Sequence, residues 1–391
     1  MSAAITSVGA VCGHGVGTAR LLAALLEGRS AIGRLTRFSA PDLCSDLAAQ
    51  APEDDELMAA AESLGAPRPP DRATRLLLAA AAEALAGRDL RSSDRRAVLV
   101  GTTKGALELS VAAWREGKAG PALAVELPAL ALARAVGARG PVRTLGAACA
   151  SSTAALGEAL ALIEDGTCDE VIVGGTEALH PFVYAGFHSL KAMSSSPAAP
   201  FDAKRGGLSL GEGAAVLVVE SLDSARRAGR GALATLEGFG AAADGFDQTA
   251  PDPTGTGLAT ACRAAISRAG LAPADIGRYH AHGTATMQND RMEGAVCSKV
   301  FGPHGVPVCA VKGSLGHTLG AAGALDAVSC ILTLRRGVLP PVTNLTQVDP
   351  ALAVDAVMKT ARPSEGAFAL VATAGFGGIN AALVLRRGDG R

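Results

Sequence analysis

Val142-Arg-Thr-Leu-Gly-Ala-Ala-Cys149-Ala-Ser-Ser-Thr-Ala-Ala-Leu-Gly-Glu-Ala-Leu160 is a strand-like run that turns at small residues into an Ala/Leu helix. The pattern predicts a thiol at the first turn of that helix. There, unpaired N–H groups and the positive end of the macrodipole favour an anion, so the thiolate becomes more accessible and the sulfur a better nucleophile. Taken alone, a cysteine among alanines also fits a small buried hydrophobe. The decision between the two rests on what the rest of the chain brings to it.

The chain has 391 residues, 49% hydrophobic and 19% charged, with 48 Gly and 3% aromatics. This is a soluble globular composition, long enough for two domains or one large fused core. The formal net charge of -1 gives no global field to recruit nucleic acid or an anionic membrane, so an acidic partner needs a local basic patch. The cysteines (Cys12, Cys44, Cys149, Cys168, Cys262, Cys297, Cys309 and Cys330) are scattered, with no C-x-x-C pair and no zinc spacing. The N-terminus lacks the basic start and sustained apolar core of a secretion signal, and a reducing cytoplasm is the expected home. Gly366 to Leu385 carries no charge over a length that could cross a bilayer. It divides around Gly375, Gly377 and Gly378 into two short apolar runs, however, and so predicts a buried strand pair.

Other β-type runs are Ala97 to Val100, Val171 to Val173, Ala215 to Val219 and Val306 to Val311. Helical segments between them are Arg72 to Leu85, Ala150 to Asp165, Gly257 to Ala269 and Ala321 to Arg336. Near-continuous apolar strands alternating with helices predict sheets covered on both faces, the α/β class. The halves also echo each other. Val142 to Gly166 and Val308 to Gly337 both run strand, Gly-containing turn, reactive residue, helix, Gly. Val98 to Thr103 similarly matches Tyr279 to Thr284. Such duplication predicts helix starts converging across a pseudo-twofold. The charged segment after Glu220 is the natural seam, giving an N-terminal half, 1–220, and a C-terminal half, 221–391.

His282-Gly-Thr-Ala-Thr-Met-Gln-Asn-Asp-Arg-Met-Glu293 follows a strand-like approach. Its Gly lets backbone come close to a ligand, its threonines offer hydroxyls, and Asp290 and Glu293 are spaced for one helix face. Lys312-Gly-Ser-Leu-Gly-His317-Thr-Leu-Gly-Ala-Ala-Gly323 sets a cation and a histidine across a Gly-rich turn into a helix. Each histidine alone reads as a hydrogen-bonded structural residue. With Cys149, the two histidines and Lys312 make an acyl-transfer constellation.

These segments, in this order, resemble the Cys-His-His set of the elongating β-ketoacyl-[acyl-carrier-protein] synthases. Supporting matches are Pro200-Phe-Asp-Ala-Lys-Arg-Gly-Gly-Leu-Ser-Leu-Gly-Glu-Gly-Ala214, Gly174-Gly-Thr-Glu-Ala178 and Gly375-Phe-Gly-Gly-Ile-Asn380. The resemblance covers nearly the whole chain. It implies the thiolase fold, five layers (αβαβα) built from two similar halves, usually as a homodimer, with a heterodimer with a related ketosynthase subunit as the other arrangement. The implied reaction is a decarboxylative Claisen condensation in fatty acid or polyketide-type (polyene) biosynthesis. Cys149 takes an acyl group from acyl carrier protein, and malonyl-carrier protein then loses carbon dioxide and attacks it. His282 and His317 would hold the enolate oxygen through their Nε2–H groups. The implied oxyanion hole is the backbone N–H groups of Cys149 and Phe376, with Phe376 also the gate. Lys312 and Glu293 are expected to pair and support the histidines, and Thr284 and Thr286 to bond the pantetheine arm or cap the turn. No cofactor and no metal is implied. For docking the acidic carrier protein, Lys204, Arg205, Arg72 and Arg75 are the candidates.

The chain departs from the family's pattern in a short Thr102 to Pro141 stretch, in Ala372-Thr-Ala374, where Asn-Ser-Phe is usual, and in Ile379, where Thr is usual. Three other readings compete. A coenzyme A thiolase resembles this chain less, because the C-terminal Gly375 to Gly378 turn has no second cysteine. A Cys-His hydrolase leaves the second histidine and Lys312 unexplained. A chain-length-controlling partner subunit would typically lack the nucleophile that is retained here.

Overall fold

The computed structural model describes residues 3–39, 43–120 and 124–389. Its main sheet is assembled from two sets of strands. The first comprises β1 (Ala3–Cys12), β2 (Arg96–Gly101), β3 (Val142–Leu145), β4 (Glu170–Glu177) and β5 (Gly213–Ser221). The second comprises β6 (Ala234–Ala243), β7 (Ile276–His280), β8 (Pro307–Cys309), β9 (Phe368–Gly375) and β10 (Ile379–Arg387). Spatial order is β3-β2-β4-β5-β1 in the first set and β6-β10-β9-β7-β8 in the second, with the short strand Asp355–Ala356 beyond β8. Counted from its own first strand, each set therefore has the same order, 3-2-4-5-1, and the same mixture of parallel and antiparallel pairs. The sets meet where β1 pairs with β6 antiparallel, Ala3 opposite Leu236 through Ile5 opposite Ala234.

Helices α1 (Arg72–Ala84), α2 (Leu127–Ala135), α3 (Ser151–Glu164), α4 (Pro181–Ser189), α5 (Thr256–Arg268), α6 (Met287–Phe301) and α7 (Ala322–Arg335) fill the other layers. Pleat alternation assigns each to its place, because successive strand residues point to opposite faces. Leu99, Val171, Val173, Leu217, Val371 and Leu383 share one core with α3 and α7. Their neighbours Val98, Val100, Ile172 and Val216 pack instead on α1 and α2. On the second set, Leu370, Ala372 and Val384 pack on α5 and α6. The two sets of strands thus sandwich α3 and α7, and outer helices cover both, which makes the expected αβαβα stack. Both central helices are apolar nearly all round, as a helix buried on every side must be. They approach so closely that a Cβ on Gly323 would lie 2.0 Å from Thr153 Oγ1.

The uncharged segment 366–385 is the β9–β10 hairpin, paired from Phe368 opposite Arg386 to Gly375 opposite Ile379. Among the described residues no helix is long and apolar enough to cross a membrane. All eight cysteines are free thiols.

Candidate active site

Cys149 lies in the turn between β3 and α3, two residues ahead of the first helical residue, and is buried. The turn is sharp: Ala148 takes φ 48°. Ser151 Oγ closes it, accepting the Ala147 N–H at 2.9 Å and donating to the Ala148 carbonyl at 2.6 Å. The β9–β10 turn comes against this elbow at Gly375, where a Cβ would meet Ala147 O and Ala148 Cβ at 3.2 Å and Cys149 N at 3.3 Å. That close approach brings the Phe376 backbone N–H onto the Cys149 sulfur. The sequence predicts a thiol acidified by the helix start, and here the structure differs. Burial pushes Cys149 up to about 11, against the opposing pulls of the Lys312 charge, the Phe376 N–H and the Lys104 charge. Burial thus outweighs the charges and the N–H that favour the thiolate.

His317 enters from the turn after β8, with Nε2 3.1 Å from Cys149 Sγ. Its Nδ1 accepts the Leu319 N–H at 3.3 Å, which leaves the ring proton on Nε2, facing the site. His282 stands edge-on to it, ring centroids 5.2 Å apart at 85°. Sγ of Cys149 and a ring nitrogen from each histidine all lie within 4.8 Å of one another. Burial, helped by the Lys312 charge, brings His317 down to about 3 and holds His282 well below its ordinary value. Both rings are neutral and can donate one hydrogen bond without carrying charge.

Lys312 and Glu293 do not pair. Lys312 Nζ meets Asp326 Oδ2 of α7 at 3.0 Å, both groups buried. Glu293 instead collects four donors. Oε1 accepts from Tyr279 OH (2.9 Å) and His282 N (2.8 Å), while Oε2 accepts from Gly283 N (2.6 Å) and Asn289 Nδ2 (2.8 Å). It holds the backbone of the His282 turn through two of these contacts. The pairing fails because Glu293 is on α6, behind the His282 turn, where the backbone N–H groups claim it. Lys312 faces α7 instead.

Two cavities meet at Cys149. One, of about 310 Å³, is lined by both histidines, Thr284, Thr286, Asn289 and Phe376. The other, of about 390 Å³, is largely apolar and runs between α4 and the Cys149 turn, lined by Val183, Phe187, Leu190, Leu319 and Lys104. Phe376 lines both, its ring stacked on Phe187 at 5.6 Å and 27°. Thr284 and Thr286 face the first cavity with hydroxyls 3.0 Å apart, and Thr286 Oγ1 also accepts the Asn289 N–H that starts α6. Channel lining and helix capping are thus combined in one residue.

Two of the docking candidates are overturned. Arg72 is buried, its guanidinium on Glu212 through Nε at 3.0 Å and Nη2 at 2.7 Å. Arg205 is buried on Asp349 Oδ2 and the Asp202 carbonyl, both at 2.8 Å, with Asp290 3.5 Å from its Nε. Both are structural charges compensated inside the protein. Arg75 is half-buried and tied to Asp54 and to the Pro69 and Pro70 carbonyls. Lys204 is exposed. The Pro200–Ala214 motif is thus a clasp: Asp202 Oδ2 also accepts Thr346 N and Gln347 N, while Asp290 Oδ2 takes Phe201 N at 2.7 Å.

Several contributors escape the motif reading. Asp326, the partner of Lys312, is the one acid in the apolar run Ala321 to Leu334, and a lone buried acid calls for a cation. Glu177 accepts Thr103 N (2.8 Å) and Gly320 N (3.0 Å), tying the end of β2 to the His317 turn. Phe187 and Lys104 carry no pattern that marks them.

Fold and site together define a thiolase-fold enzyme in which one thiol and two imidazoles converge on a single point. Residues 2–225 match the model for the beta-ketoacyl synthase N-terminal domain and residues 233–346 that for the beta-ketoacyl synthase C-terminal domain. The chain is 35% identical to the tetracenomycin polyketide synthase ketoacyl synthase alpha subunit of Streptomyces glaucescens, over 98% of this chain and 96% of that one. It is 34% identical to 3-oxoacyl-[acyl-carrier-protein] synthase 2 of Rhizobium meliloti (strain 1021), over 99% of each. Among solved structures, the ishigamide ketosynthase/chain length factor superposes with a TM-score of 0.90 at 30% identity, covering 99% of each chain. The chain belongs to the beta-ketoacyl synthase family.

Proposed function

We propose that this enzyme condenses an acyl group held on Cys149 with malonyl-acyl-carrier-protein to give a β-ketoacyl product, in fatty acid or polyketide-type biosynthesis. The observation that carries the reading is the triangle of Cys149 Sγ and two neutral imidazoles at the meeting point of a cavity of mixed lining and an apolar one. In the first half-reaction the sulfur attacks the thioester carbonyl, and the Cys149 and Phe376 N–H groups receive the oxyanion. The C–S bond to pantetheine then breaks, and the proton lost by Cys149 reappears on the leaving thiol. In the second, the malonyl C–C bond breaks and carbon dioxide leaves. The electron pair passes to an enolate whose oxygen accepts from His282 and His317. Preplaced donors of this kind contribute about 3–4 kcal/mol each to such a barrier. The enolate carbon then attacks the acyl carbonyl, the C–S bond to Cys149 breaks, and the released thiolate takes a proton from water. Thr284 and Thr286 bond the pantetheine arm. No cofactor is required.

The partner is an acyl carrier protein, and the working unit is a dimer with a second copy or a related ketosynthase subunit, in the cytoplasm. Solved structures that resemble this chain include ketosynthase and chain length factor pairs. Intact-protein mass spectrometry with acyl-carrier protein, followed by malonyl-carrier protein, tests the reading. The acyl mass should appear on Cys149 and then leave it as β-ketoacyl product. No adduct with any chain, or unchanged condensation in Cys149→Ala, would sink it. His282→Ala and His317→Ala should each lose malonyl decarboxylation.

A further inference from the structure

The apolar cavity beside Cys149 contains one cation. Lys104 follows the end of β2, on the turn Thr102-Thr-Lys-Gly105, and lines that cavity with Val183, Phe187, Leu190 and Leu319. It is half-buried, and among the described residues no acid lies within ion-pair distance of its ammonium, although its charge acts on Glu177. Nζ donates one hydrogen bond, to Thr103 Oγ1 at 2.9 Å. Glu177, on which that charge acts, is already occupied by Thr103 Oγ1 (2.6 Å), Thr103 N and Gly320 N. An ammonium has three N–H donors, so two have no protein hydrogen-bond partner among the described residues.

A plain alkyl chain in that cavity would strip water from those donors and return nothing. A chain with an oxygen acceptor would replace the water. The occupant is fixed by position: an acyl group on Cys149 has two ways to lie. The cavity of mixed lining, with its histidines and threonines, is the route of the incoming thioester, which leaves the more apolar Lys104 cavity to the chain already bound. The charge also reaches the chemistry, since Lys104 is one of the cations acting on both Cys149 and His317.

We propose that Lys104 is a specificity-determining residue that selects acyl chains carrying an oxygen acceptor, a keto or carboxylate oxygen, over plain alkanoyl chains. This rests on the condensing role proposed for Cys149. The shared chemistry is an oxygen within reach of the ammonium, and the two sources separate experimentally.

The test measures rates of Cys149 acylation by intact-protein mass spectrometry with carrier proteins bearing alkanoyl, oxoalkanoyl or ω-carboxyalkanoyl groups of matched length. At least one oxygenated series should acylate wild type about tenfold faster than the alkanoyl series. Preference for the oxo chains identifies a neutral acceptor, and preference for the carboxy chains an ion pair. Lys104→Met should lower that ratio about tenfold, while Lys104→Arg should preserve it. Using the ratio cancels any uniform effect of the lost charge on the thiol or of impaired folding, which would slow all chains alike. Equal rates across the series in wild type, or an unchanged ratio in Lys104→Met, overturn the assignment while leaving the condensing role standing. Absence of acylation by every thioester removes the condensing role itself, and this assignment with it.

Discussion

Glu293→Gln separates holding a histidine from taking part in the chemistry. The carboxylate receives two donors on each oxygen, and glutamine keeps one oxygen and turns the other into an NH₂. If the NH₂ faces Gly283 N–H and Asn289, the Asn289 amide can flip to accept, but Gly283 N–H is orphaned. If it faces Tyr279 and His282 N–H, the phenol can rotate to accept, but His282 N–H is orphaned. Either way one buried backbone donor in the histidine turn loses its partner, at about 1–3 kcal/mol. Removal of a buried charge, which burial already disfavours, offsets part of this. The net expectation is about 1 kcal/mol, which for a chain of this size lowers Tm by about 1 °C. The consequence for activity is larger, because a turn displaced by a fraction of an ångström misplaces the enolate donor, and such misplacement costs about 10- to 100-fold. Malonyl decarboxylation, followed by carbon dioxide release, should fall by that factor. Cys149 acylation, followed by mass spectrometry in the same preparation, should change less than about threefold, because it does not use His282. Equal losses in both half-reactions, or a lowered Tm with decarboxylation intact, would refute the positioning role.

The raised thiol has its own signature: carboxamidomethylation of Cys149 should accelerate about tenfold per pH unit from about pH 7 to 10, with no plateau in that range. A plateau near neutrality would mean that a thiolate is already present at rest. Arg72→Met should cost about 3 kcal/mol, lowering Tm by about 4 °C, because it leaves the fully buried Glu212 with only Arg37, at 3.2 Å, as a cation. Carrier-protein affinity should stay within about twofold. Weakened carrier binding at unchanged Tm would return Arg72 to the docking surface.

The apolar runs of the sequence place most of the strands and four of the five long helices within a residue or two, because those segments carry little but apolar residues; the fifth, Met287–Phe301, is marked only by the one-face spacing of Asp290 and Glu293. Strands β1 and β6 are harder to read. Ala3–Cys12 and Ala234–Ala243 are rich in Ala, Gly and Thr, and what makes them strands is pairing with β5, β10 and each other, which no local pattern reports. Cys149, His282 and His317 are legible because each sits on a Gly- or Ala-flanked turn between strand and helix. Charge partners are not. Lys312 is near His317 in sequence, yet its acid arrives from α7. Arg72 and Arg205 read as surface cations until their acids, Glu212 and Asp349, arrive from far along the chain. The acidity of Cys149 is likewise set by tertiary burial, which outweighs the local benefit of the helix start.

The common strand order of the two halves has a consequence for symmetry. Cys149 and His317 occupy corresponding places, each on the turn that leads from the third strand of its half towards a central helix. In a symmetric pair of identical units, whatever side chain stands at one of those places must also stand at the other, so a thiol would face a thiol and an imidazole an imidazole. Joining the units in one chain lifts that constraint. One copy can carry the group that is acylated and the other the groups that polarise what attacks it. The reaction needs both at a single point, and it is the broken equivalence of the halves, more than either half's shape, that supplies them.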